Sequence, residues 1–208
     1  VENTWELFQK GGPVMFALLA CSIAVAVIAI ERFRFYRQAG RGASDFVAKL
    51  PELLKGNDLK QAAEVCRVEN TAPAYIAEIG VRAAAAGDDL TLALDTAYAD
   101  MAMRLRERLN YLSMIVTMAP LLGLLGTISG MIESFSIFSV RAGEPLAITG
   151  GIGEALIATA TGLCVAIFSL IVHTYFVQKL DEMLAMLDKA ATAVRNALKK
   201  TGEDGHAA

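Results

Sequence analysis

Charge is scarce in this chain. Asp, Glu, Lys and Arg together make up 20% of its 208 residues, while 55% are hydrophobic. Soluble domains carry about a quarter charged residues. The net charge of −3 leaves no basic excess, so a nucleic-acid partner is not expected. The three cysteines do not make a disulfide framework: Cys21 and Cys164 sit inside apolar runs and Cys66 in a charged segment. They read as small reduced core residues. Two widely separated histidines give no metal-ligand spacing. No G-x-x-x-x-G-K-[ST] motif is present, so no nucleotide is expected. No nucleophile–base or metal set appears, which argues against an enzyme, and no cofactor is implied.

The apolar residues fall in three blocks. Pro13 to Ile30 is apolar apart from Ser22 over 18 residues, the lower limit for a bilayer crossing. A cleaved signal peptide would need a basic stretch before it and a small-residue cleavage site after it. Only Lys10 precedes the block, alongside Glu2 and Glu6, and charge resumes at Glu31, so it reads as a retained span. Leu112 to Ile132 has Ser and Thr as its only polar side chains. Ala155 to Gln178 carries no charge if His173 is neutral. Both are long enough to cross about 30 Å of hydrocarbon.

Arginine and lysine orient these spans. Arg32, Arg34, Arg37 and Arg41 follow the first, Arg104, Arg106 and Arg108 precede the second, and Lys179, Lys189 and Arg195 follow the third. The connection between the second and third holds only Arg141. Basic residues favour the cytoplasmic side. The expected organisation is a periplasmic segment 1–12, transmembrane helix 13–35, cytoplasmic helical domain 36–110, transmembrane helix 111–138, periplasmic loop 139–149, transmembrane helix 150–178, cytoplasmic helix 179–200 and disordered tail 201–208. The fold class is an all-α, multi-pass membrane protein with three transmembrane helices. Two of them are long and extend into a cytoplasmic helical bundle.

Within 36–110, Asn57-Asp58 can cap a helix running through Val65. Thr71 can cap another, with Pro73 in its first turn, that runs to about Ala86. Gly87-Asp88-Asp89 punctuates. From Asp89 to Leu122 there is no glycine and only Pro120, so an unbroken helix is expected to about Ser136, roughly 70 Å long. After Lys179, Leu180, Met183, Leu184, Leu187, Ala191 and Val194 recur at helical spacing.

Small and hydroxyl residues form two stripes. Ala119, Gly123, Thr127, Gly130 and Ser134 follow steps of three or four, with Gly126 widening the face. Gly151, Ala155, Thr159, Gly162, Ala166 and Ser169 do the same. Two readings fit. The stripes are seams where helices approach closely, with the hydroxyls bonded back to their own helices. Alternatively they line a water-accessible path in which Thr127, Thr159, Thr161 and Ser134 solvate an ion. Glu154 follows Gly150-Gly151-Ile152-Gly153 and also has two readings: an acid in a helix's first turn, or an intramembrane carboxylate with a functional role. It lies about 140° around the helix from Thr159 and about 20° from Thr161. Glu133 reads as interfacial and His173 as a satisfied interfacial histidine. No carboxylate sits at mid-membrane depth in any span. If protons cross here, a partner must supply the titrating group.

The chain resembles the MotA/TolQ/ExbB proton-channel family. One block is Ala119-Pro120-Leu121-Leu122-Gly123-Leu124-Leu125-Gly126-Thr127 with Gly130-Met131. The other is Gly151-Ile152-Gly153-Glu154-Ala155-Leu156-Ile157-Ala158-Thr159-Ala160-Thr161-Gly162-Leu163. Three spans fit the ExbB/TolQ branch. Ile128 stands where the family usually has Val, and Phe168 where it often has Pro, which removes a kink from the third span. The resemblance implies a pentamer in the bacterial inner membrane, N-terminus periplasmic and C-terminus cytoplasmic. It implies a single-span ExbD/TolR-type partner inside the pore, bearing a membrane aspartate. It implies that Thr127 and Thr159 match the family's pore threonines and Glu154 the glutamate of its second block, that Glu154 lies on the ion pathway, and that proton flow drives mechanical work on the envelope. The competing readings are a stand-alone channel or transporter, which calls for an ionisable group or broken helix at the midplane, and a non-conducting scaffold.

Overall fold

The computed structural model describes residues 11–55, 59–140 and 145–204, with backbone alone at 59, 137–140, 145–150, 154 and 199–204. All regular structure among the described residues is helical: α1 (Val14–Gly40), α2 (Ala43–Leu53), α3 (Leu59–Glu69), α4 (Ala72–Ala86), α5 (Leu90–Arg106), α6 (Leu109–Val140) and α7 (Pro145–Asp204). Three helical stretches are long and apolar enough to cross a membrane; their most apolar windows have mean hydropathies of 2.5, 1.9 and 2.4. They lie within Val14–Leu53, Leu90–Ser136 and Gly151–Leu198, ranges that contain the three apolar blocks of the sequence apart from Pro13. The chain divides into two compact units. One comprises Val1–Glu31 and Arg108–Phe176, the other Arg32–Glu107 and Val177–Ala208.

The second unit is built around α4. Thr71 caps this helix, its hydroxyl accepting from the Ala74 amide at 3.3 Å, and Pro73 sits in the first turn, where its missing N–H costs nothing. Gly87 (φ 78°) closes the other end: its amide and that of Asp88 bond back to Ala84 and Ala83, the wrap that a left-handed glycine permits. Asp89 then caps α5 through the amides of Thr91 and Leu92, at 2.9 and 3.2 Å. Between its caps α4 buries eight of its 15 residues, with Ile76, Ala77 and Val81 at 0% exposure. Gly80 allows this, since a Cβ there would stand 2.7 Å from Leu94 of α5 and 2.8 Å from Val194 of α7. The apolar stripe after Lys179 packs as its spacing predicts: Leu180, Met183, Leu187, Ala191 and Val194 are buried, and Leu184 is half-buried.

Four expectations need adjustment or fall elsewhere. The helix expected through Val65 runs on to Glu69, and the Asn57-Asp58 cap lies outside the described residues. Residues 1–10, 141–144 and 205–208, parts of the expected terminal and loop segments, also lie outside them. Helix α7 begins at Pro145, inside the expected loop, and extends to Asp204, into the expected tail.

The fourth is a correction. The helix expected to run unbroken from Asp89 to Ser136 stops at Arg106 and restarts at Leu109. Glu107 is extended (φ −50°, ψ 138°) and Arg108 is left-handed (φ 66°), a conformation that costs a non-glycine residue about 1–2 kcal/mol. The compensation comes from α1. Arg32, 2% exposed, donates from Nη1 to the Arg104 carbonyl at 3.0 Å, and the Tyr36 hydroxyl donates to the Leu105 carbonyl at 2.8 Å. These are carbonyls that a helix end leaves without intrahelical partners.

Candidate functional site

The first unit brings the two glycine-containing blocks together as a seam between α6 and α7. Ala119, Gly123, Gly126 and Gly130 of α6 are buried, and so are Ala155, Ala158, Gly162 and Ala166 of α7. The backbones come close enough that a side chain has no room. A Cβ at Gly123 would stand 3.0 Å from the Thr159 Cα, and one at Gly162 would stand 2.6 Å from the Ala119 carbonyl oxygen. At Gly126 it would meet the Ala158 methyl at 2.5 Å, and at Gly130 the Gly151 carbonyl at 3.2 Å. A Cβ at Gly151 would overlap Ser134. Close approach of this kind is how helices gain dispersion contacts where lipid supplies no hydrophobic drive.

The hydroxyls divide into two kinds. Thr159 donates across the seam to the Gly123 carbonyl at 3.0 Å, thereby joining the two blocks with one hydrogen bond. That carbonyl is accessible because Gly123 has no side chain beside it. The others bond within their own helices: Thr127 to Leu124 at 2.7 Å, Ser134 to Gly130 at 2.8 Å, Thr161 to Ile157 at 2.8 Å and Ser169 to Val165 at 2.8 Å. Ser134 and Ser169 are buried, while Thr127 and Thr161 are half-buried on the flanks of the seam. On α6 it is Gly126, not Thr127, that fills the seam between Gly123 and Gly130. A Thr hydroxyl bonded to its own backbone keeps its lone pairs for a further donor. Thr127 and Thr161 are thus able to accept from water or a protonated group beside the helix.

Glu154 lies on the α7 backbone one residue before Ala155, and its side chain lies outside the described residues. Glu133 is exposed and His173 half-buried. Cys66 is buried in the second unit, where desolvation, with Glu78 adding to it, pushes its thiol up to about 11.

Two ion pairs among the described residues, one in each unit, were missed by reading the sequence span by span. Arg32, besides its bond to α5, stands 3.5 Å from Glu107, and Glu31 pairs with Arg108. The sequence signal was a repeated Glu-Arg dipeptide, at 31–32 and again at 107–108.

Residues 68–189 match the MotA/TolQ/ExbB proton channel family. Named relatives agree. A protein of Synechocystis sp., carried under the provisional name biopolymer transport protein ExbB-like 1, is 34% identical over 194 residues, 86% of this chain and 74% of that one. A second from the same organism, ExbB-like 3, is 34% identical over 176 residues, 81% and 82% of the two chains. An ExbB homolog of Methanothermobacter thermautotrophicus is 28% identical over 188 residues, covering 88% of this chain but 66% of its own length. With three helices able to span a bilayer and this match across more than half its length, the chain is a multi-pass membrane protein that belongs to the ExbB/TolQ-like branch of the MotA/TolQ/ExbB proton channel family.

Proposed function

We propose that this chain is the proton-channel subunit of an energy-transducing complex in the bacterial inner membrane, coupling the proton motive force to mechanical work on the cell envelope. It assembles as a homo-oligomer, a pentamer by family likeness, around a single-span partner of the ExbD/TolR type. The N-terminus is periplasmic, and the C-terminus and residues 36–110 are cytoplasmic, in keeping with the arginine distribution. The names of its relatives, which are biopolymer transport proteins, support this reading.

The observation that carries this reading is a pairing of presence and absence. The α6–α7 seam presents hydroxyls, with Thr159 bonded across it and Thr127 and Thr161 on its flanks. The second and third spans hold no carboxylate at mid-depth. Hydroxyls and carbonyls can relay or solvate a proton but cannot store one at neutral pH. The storing group must then come from a partner, and family likeness makes it a membrane aspartate of the ExbD/TolR-type chain. Its protonation removes a charge that is costly in the membrane. Each proton moved down about 100 mV supplies roughly 2.3 kcal/mol. Family likeness makes the partner a dimer, and a five-fold ring around a two-fold partner cannot satisfy every contact at once, so successive protonations favour stepping. Glu154 supports the path from the start of the third span.

The test is proton flux into liposomes holding the complex with its partner. Thr127→Val together with Thr159→Val should reduce flux at least tenfold while the complex still assembles. Undiminished flux would refute the hydroxyl path. Substantial conductance by this chain alone would favour a stand-alone channel instead.

A further inference from the structure

Residues 104–112 read Arg-Leu-Arg-Glu-Arg-Leu-Asn-Tyr-Leu, with no glycine, proline, serine or β-branched residue. Arg, Leu and Glu rank among the better helix formers. Sharp helix breaks otherwise occur at Pro, at Gly or Ser, at π-bulges or where a side chain inserts into the hydrogen-bond ladder. Only the last applies here. In an unbroken helix the carbonyls of Arg104 and Leu105 would accept from the amides of Arg108 and Leu109. Those same two carbonyls instead accept from Arg32 Nη1 and the Tyr36 hydroxyl, which reach them from α1. Arg32 also pairs with Glu107, so the residue that caps α5 holds the extended residue beyond it. Arg108, the left-handed residue, is paired with Glu31. Local sequence favours one conformation and side chains from a distant segment impose another. A strained non-glycine residue persists only where its surroundings over-determine it.

We propose that Arg32 and Tyr36 act as a removable cap, and that the segment from Leu105 to Leu109 is a two-state element: broken while the cap is in place, helical when it is withdrawn. The inference stands on backbone geometry and does not depend on the proton-path reading.

Amide hydrogen exchange on the full chain in lipid nanodiscs tests it. The amides of Leu109 and Asn110 open α6 and lack intrahelical partners in the broken state. Closing the helix would bond them to Leu105 and Arg106. In Arg32→Gln/Tyr36→Phe their exchange should slow at least tenfold relative to the parent. Arg108→Ala, which leaves the cap intact but favours the helix, should slow them several-fold. Arg108→Gly, which tolerates the left-handed conformation, should leave them at the parental rate. Exchange at Leu109 and Asn110 that is unchanged or faster in both Arg32→Gln/Tyr36→Phe and Arg108→Ala overturns the proposal. Because Arg108→Ala keeps every capping contact, misfolding of the double variant would not rescue it.

Discussion

Replacing one glycine of the α6–α7 seam with alanine should separate packing from helix propensity. At Gly162 a Cβ would stand 2.6 Å from the Ala119 carbonyl oxygen and 3.1 Å from the Gly123 Cα. Both are backbone atoms of the neighbouring helix, so no side-chain rotation relieves the overlap and the helices must move apart. Overpacking of this kind costs about 1–3 kcal/mol. Alanine returns roughly 0.8 kcal/mol through its better helix propensity. Gly153 lies on the same helix, and a Cβ there meets nothing within 4 Å. Gly153→Ala therefore receives the propensity gain without the overlap. The two single-methyl variants should differ by about 2 kcal/mol, which for a chain of this size is roughly 4–8 °C in melting midpoint. Thermal unfolding in a mild detergent, followed by loss of helical circular dichroism, measures the difference. Gly162→Ala should melt below the parent and Gly153→Ala at or above it. Equal midpoints for the two would mean that α6 and α7 do not approach as closely as the glycines imply.

Two further measurements probe the second unit. Thr71→Ala removes the hydroxyl that accepts from the Ala74 amide and should cost about 1 kcal/mol, read from chemical or thermal unfolding, whereas Thr71→Ser should cost far less. A Thr71→Ala variant as stable as the parent would show that the cap contributes nothing. Burial raises the Cys66 thiol from 9.0 to about 11, so at pH 8 only about a thousandth of it is thiolate. Alkylation of Cys66 in the folded protein should be correspondingly slow and rise about tenfold per pH unit towards pH 11; an ordinary surface-thiol rate at pH 8 contradicts its burial. Because the folded state holds the proton more tightly, this thiol leaves stability intact below about pH 9 and lowers it as pH rises towards 11.

Local signals carried most of the fold. The three spans follow from uninterrupted apolar runs, which form helices because the bilayer core holds no water to bond their backbone groups. Both ends of α4 were legible because Thr71 and Gly87 act on amides and carbonyls within a few residues of themselves. The small-residue faces were legible from their spacing, but not which residue would fill the seam. A 3.6-residue period places Gly126 and Thr127 100° apart, and only the neighbouring helix decides that the smaller one goes inward. The same limit applies to the hydroxyls. Spacing puts Thr159 on the small-residue stripe and Thr161 off it but does not give their partners: Thr159 reaches another helix because Gly123 exposes a carbonyl opposite it, and Thr161 turns back to Ile157.

The break at Glu107–Arg108 marks where local reading fails for a physical reason. Seven of the nine residues from Arg104 to Leu112 are Arg, Leu or Glu, all good helix formers, and propensity summed over that window was a sound basis for expecting a helix. What overrides it is a guanidinium and a phenol about 70 positions earlier in the chain, aimed at two particular carbonyls. Propensity differences of a few tenths of a kcal/mol per residue cannot withstand a charge-assisted hydrogen bond from an almost fully buried arginine, which is worth about 1.5–3 kcal/mol. The converse also holds. Once that donor is removed, nothing in the local sequence sustains the left-handed Arg108, and the helix-forming preference of the segment regains control. A local preference opposed by a distant, removable contact of similar size is the condition under which a backbone has two accessible states rather than one.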